Sequence, residues 1–145
     1  MNARPSPADD ETSRRMRRVR RRDTRPEVSL RSLVHRHGIR YAIDVRPLGK
    51  LDRTADVVFR SAKVAVFVDG CFWHGCPLHA TWPKHNKAWW RAKILRNRSR
   101  DRETDHALVQ NGWVSIRVWE HEDPRPVATR LARIVRRRRK QLTGR

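Results

Sequence analysis

The residues able to do chemistry crowd into positions 64–79, VAVFVDGCFWHGCPLH. Asp69, Cys71, Phe72, Trp73, His74, Cys76 and His79 follow the apolar run VAVFV within a few positions, and both cysteines of the chain are among them. A short β-branched run reads as a buried strand. Its end is where a rigid scaffold hands residues to a functional loop.

Four constellations arise from this stretch and its neighbours. Asp56 and Asp69 lie at the ends of two adjacent expected strands. A hairpin would bring both carboxylates to one end of a sheet. Such a pair suits Mg²⁺, which takes one or two carboxylates and leaves its other positions to water and phosphate oxygen. It equally suits two ordinary turn acids. His74, five residues beyond Asp69, reads as a group that takes a proton from water or orients it, as a metal ligand, or as a surface histidine. Cys71, Cys76 and His79, with His121 after a later strand, have the ligand types of a tetrahedral zinc site. The alternative is two unrelated thiols. The spacing matches no standard zinc finger. Phe72, Trp73, Trp89 and Trp90 sit in basic surroundings, where apolar wedges can part base steps. For one of Trp89 and Trp90 a place in the helix core is the other reading.

The elements that must position these groups can be read from the pattern. Residues 1–12 are polar and proline-bearing and read as a disordered tail. A single domain is expected over 13–141, opening with a basic arm over 13–25. That arm contains SRRMRRVRRR, whose Arg17 and Arg18 are candidate phosphate contacts. A helix over 26–37 has Leu30, Leu33 and Val34 on one face and ends at Gly38. Glu27 lies in its first turn, where its charge favours the dipole. Strands are expected over 39–45, 55–59 and from 64, forming a meander with acids at its mouth. A long helix over about 87–110 carries Trp90, Ile94, Asp101 and Leu108 on one face and stops at Asn111-Gly112. Positions 113–119 alternate, with Val114, Ile116 and Val118 facing one way. A final helix over about 124–141 turns Val127, Leu131, Ile134 and Val135 inward and Arg136 to Lys140 outward. This is an α/β domain with a central mixed sheet. No glycine-rich loop follows a strand, so it is not a dinucleotide-binding pattern.

Charge narrows the partners. Lys and Arg number 35 against 15 Asp and Glu, a net charge of +20, and the basic residues gather at both ends. Nucleic acid is the leading partner, bound with a steep salt dependence. Two cysteines, no apolar leader and no long apolar run imply a cytoplasmic protein without a membrane partner.

The sequence resembles the very-short-patch-repair (Vsr) DNA mismatch endonucleases from about residue 15 to 122. The likeness is carried by MRRVRRRDTRPEVSLRSLVHRHGIRY, ADVVF, VFVDGCFWHGCPLH, WWRAKILRNRSRD and GWVSIRVWEHE, in that order. It implies a restriction-endonuclease-like fold. It also implies a Mg²⁺-dependent nick on the 5′ side of the thymine in a T·G mismatch left by deamination of 5-methylcytosine. By position, Asp56 resembles the metal-binding aspartate, Val68 lends its backbone carbonyl, His74 resembles the histidine that helps activate water, and Glu27 the acid of the first helix. Phe72, Trp73 and Trp90 resemble the aromatics that wedge into DNA. Cys71, Cys76, His79 and His121 fall in the structural zinc region. Asp69 stands where the best-studied type of member has histidine, and Ala55 where proline is usual. The implied protein is a nucleoid-associated monomer whose partners are mismatched duplex DNA and mismatch-repair proteins. Two other readings are a restriction-type enzyme of the same fold acting on intact duplex and a zinc-stabilised DNA-binding protein without catalysis.

Overall fold

The computed structural model describes residues 25–71 and 85–143. Within them three helices flank one four-stranded sheet: α1 (Arg25–Arg36), β1 (Ala42–Val45), β2 (Ala55–Phe59), β3 (Val64–Asp69), α2 (Lys87–Gln110), β4 (Val114–Trp119) and α3 (Pro124–Thr143). The strand order is β1-β2-β3-β4. The first three strands form the expected antiparallel meander and β4 joins β3 in parallel. This mixed α/β layout fits a restriction-endonuclease-like fold.

The apolar run becomes the central strand because it is buried on both faces. Val64, Val66 and Val118 pack with Val57 and Phe59 against Leu30 and Val34 of α1 and Leu131 and Val135 of α3. On the opposite face Ala65 and Phe67 pack with Val58 and Leu108 of α2. Each apolar face of α1 and α3 repeats at helical spacing, so burial rather than helix propensity holds them. Helix α1 closes at Gly38, whose φ of 74° is the left-handed position that glycine occupies most easily. The Gly38 amide donates to the His35 carbonyl at 2.9 Å.

Two expectations change. The first strand is shorter than residues 39–45: it begins at Ala42, paired with Val58, and residues 39 and 40 would fall opposite the turn after Phe59. Ile39 is buried nonetheless, as a core residue outside the sheet. The basic run of α3 is not wholly outward. Arg138 donates to the carbonyls of Ala62 and Gly112, at 3.1 and 2.7 Å, and Arg139 to Ser61 Oγ at 2.9 Å. These turn carbonyls have no ladder partner, and arginine reaches them across the sheet edge. No helix among the described residues is long and apolar enough to cross a membrane.

Candidate active site

The sheet brings three carboxylates to one place. Glu27 comes from the first turn of α1, Asp44 from β1 and Asp56 from β2, and one carboxylate oxygen of each lies within 4.8 Å of the others. Asp44 lies between the paired positions Ile43↔Val57 and Val45↔Ala55, which sets it opposite Asp56. Its φ of 50° is left-handed, a conformation aspartate tolerates better than most residues. Glu27 is only 6% exposed. It is therefore the buried member of an otherwise partly exposed acidic cluster, more than a surface complement to the helix dipole.

Crowding has an electrostatic consequence. The Val68 amide donates to Asp56 Oδ2 at 2.6 Å, which favours the carboxylate. Burial outweighs that bond, and Glu27, Asp44 and Asp69 add repulsion, so Asp56 is pushed up from 3.8 to about 7. A cluster of hard oxygen donors that repel one another is a fitting cradle for a hard divalent cation. Asp56 and Glu27 were expected here. Asp44 was not, because nothing in its local sequence marks it. Only the strand register and its backbone conformation aim it at Asp56.

Asp69 lies at the end of β3, 7% exposed, and its carboxylate accepts from Arg117 Nη1 at 2.9 Å. The same guanidinium reaches Asp101 at 3.4 Å and Asp105 at 3.0 Å, and lies 4.2 Å from the centre of the Phe67 ring. Ser115 donates to Asp105 at 2.6 Å. Asp69 thus contributes negative charge near Asp56 while its own carboxylate is tied to β4 and α2. Arg117 alternates with Val114, Ile116 and Val118 along β4, and its acidic partners on α2 are found only through tertiary packing.

Past Asp69 the chain turns to Cys71, which is buried. Its Sγ lies 3.2 Å from His121 Nδ1, and its amide donates to Glu120 at 3.0 Å. Zinc–sulfur and zinc–nitrogen bonds of about 2.3 and 2.0 Å put two ligands of a tetrahedral site roughly 3.5 Å apart. The pair fits that edge. Trp90 is 9% exposed on the inward side of α2, its ring edge-to-face with Trp89 at 4.8 Å. Arg17, Arg18, Phe72, Trp73, His74, Cys76 and His79 lie outside the described residues.

Comparison with known proteins points to one family. The family model of the DNA mismatch endonuclease Vsr matches residues 8–79. The type II nicking enzyme V.NaeI of Lentzea aerocolonigenes is 44% identical over 121 residues, spanning 82% of this chain and 73% of that protein. The type II nicking enzyme V.XorIIP of Xanthomonas oryzae pv. oryzae is 40% identical over 109 residues, spanning 74% of this chain and 77% of that protein. The DNA mismatch endonuclease Vsr of Escherichia coli is 33% identical over 110 residues, spanning 74% and 68%.

Proposed function

Since the chain belongs to the Vsr DNA mismatch endonuclease family, we propose that it nicks one strand of duplex DNA on the 5′ side of the thymine in a T·G mismatch. Such mismatches arise when 5-methylcytosine deaminates, and the nick opens a short patch to resynthesis. The observation that carries the reading is the clustering of Glu27, Asp44 and Asp56 around a carboxyl held near 7.

Asp56 and the Val68 carbonyl would hold Mg²⁺, with Glu27 and Asp44 adding negative charge around it. The chemistry that a divalent cation would supply there is polarisation of the scissile phosphate and a lower pKa for the attacking water. The chain's own residues do the rest. The Val68 amide fixes the Asp56 carboxylate in one orientation. His74 accepts the proton of the attacking water. Arg117 neutralises Asp69, so that the scissile phosphate meets one fewer naked acid. Phe72 and Trp73 enter the base stack beside the mismatch, while Arg17 and Arg18 neutralise phosphates; Trp90, expected to wedge with them, is instead 9% exposed and packed edge-to-face on Trp89. Zinc on Cys71, Cys76, His79 and His121 would pin the loop that carries the wedge to the end of β4. One zinc per chain is expected by elemental analysis of the purified protein, lost on Cys71→Ser. The protein works as a monomer in the cytoplasm.

The test is a nicking assay on labelled duplexes differing only in T·G against T·A, with and without Mg²⁺. Single-strand cleavage of the T·G duplex alone, dependent on Mg²⁺, is expected. Equal cutting of both duplexes would sink the mismatch reading in favour of a restriction-type activity.

A further inference from the structure

We propose that the groove between the end of α1 and the C-terminal half of α3 binds the phosphate backbone of a second duplex segment, apart from the one being cut. The inference rests on the reading that the protein acts on DNA. Helix α3 is arginine-rich and carries no acidic residue. Of the cations in and beside the groove, three have structural work: Arg136 donates to the His37 carbonyl at 2.8 Å, and Arg138 and Arg139 hold the turns at Ala62, Gly112 and Ser61. Three others do not. Arg133, Arg137 and Lys140 line a groove of about 400 Å³ beside His37 and Thr129, with no acid in its walls. They have no ion pair among the described residues.

Their spacing suits a nucleic-acid strand. Positions 133, 137 and 140 form one stripe on the helix, about 10 Å long at 1.5 Å per residue. Phosphates recur about every 3.4 Å of axis along one strand of a duplex and wind around it as they do, so a straight stripe of this length reaches roughly two of them. Arginine guanidinium presents paired donors to a phosphate, and the neighbouring lysine adds a point charge.

The groove is remote from the carboxylates. Arg138 and Arg139 reach the turn that precedes β3, whereas Asp69 ends that strand. Strand β3 is six residues long, roughly 20 Å at 3.3 Å per residue. Lys140 is sixteen residues along α3 from Pro124, about 24 Å. A duplex held at the carboxylate end leaves the groove open to another.

The test uses the full-length protein without added Mg²⁺, a donor-labelled duplex bearing a T·G mismatch and an acceptor-labelled intact duplex. Energy transfer reports bridging. The variant Arg133→Ala/Arg137→Ala/Lys140→Ala is expected to bridge at least tenfold less well. Its slope of log affinity against log salt for intact duplex falls by about 2. Its nicking turnover at saturating mismatched DNA, with Mg²⁺, stays unchanged. Glutamine at the same three positions keeps side-chain length if alanine unfolds the helix, and predicts the same pattern. Three results would overturn the proposal: no bridging by the wild type although it binds the mismatched duplex, bridging undiminished in the variant, or loss of turnover in the variant. A protein that bound no duplex at all would instead overturn the DNA-acting reading.

Discussion

Asp56 feels opposed forces, and its titration exposes them. The unfolded chain ionises this carboxyl near 3.8, the folded chain near 7, mainly through burial and then through its acidic neighbours. Protonated Asp56 therefore stabilises the fold relative to an ionised one. That contribution is full below 3.8 and is lost as pH rises through 7. The difference corresponds to roughly 4 kcal/mol. In buffer without divalent cation, thermal unfolding should show stability falling across that window, and Asp56→Asn should flatten the fall. Added Mg²⁺ should raise the melting temperature more at pH 8 than at pH 5, because the cation binds the ionised cluster. An equal rise at both pH values would count against metal binding at these carboxylates. Activity gives a second measure. Asp56→Ala should lower nicking at least about a hundredfold, several kcal/mol of transition-state stabilisation. Mg²⁺-dependent nicking that survives the substitution would relocate the site.

Between elements, Arg117 is the joint that ties the end of β3 to α2. Its guanidinium spans Asp69, Asp101 and Asp105 and stacks on Phe67. Arg117→Ala removes a guanidinium shared by the carboxylates of Asp69, Asp101 and Asp105, which should cost about 3 to 5 kcal/mol in urea unfolding. Arg117→Lys should recover less than half of that, because an ammonium lacks the planar fork and the stacking face. A lysine variant as stable as the wild type would mean that only charge matters here. This joint also shows which parts of the fold a sequence can reveal. The run at 64–68, the stop at Asn111-Gly112 and the alternation of β4 are local patterns, and each became the expected element. Trp90 and Ile94 were found on the inward face of α2 for the same reason. Asp44 and the partners of Arg117 were not foreseen. Their roles depend on register, on a left-handed φ and on residues 12 to 48 positions apart, none of which leaves a local periodic trace.

Across the whole molecule, charge and recognition divide the work of binding. The chain carries +20, while Glu27, Asp44 and Asp56, the acids proposed to hold the metal, are gathered in one partly buried cluster. Phosphates meet arginine almost anywhere on such a surface, and those contacts are the same for T·G and T·A duplexes. On the proposed mismatch reading, discrimination must then come from what happens at the base pair, where a mismatched step is easier to part than a paired one. The two contributions should separate with salt. Raising salt from 50 to 200 mM should weaken binding of either duplex by orders of magnitude, as it does when many phosphate contacts release counterions. The ratio of nicking rates for T·G over T·A, compared at equal occupancy, should change by less than about threefold, because the released counterions are common to both. If instead the ratio collapsed along with affinity, the basic surface would itself be reading the mismatch. The wedge would then be assisting a recognition carried by backbone shape.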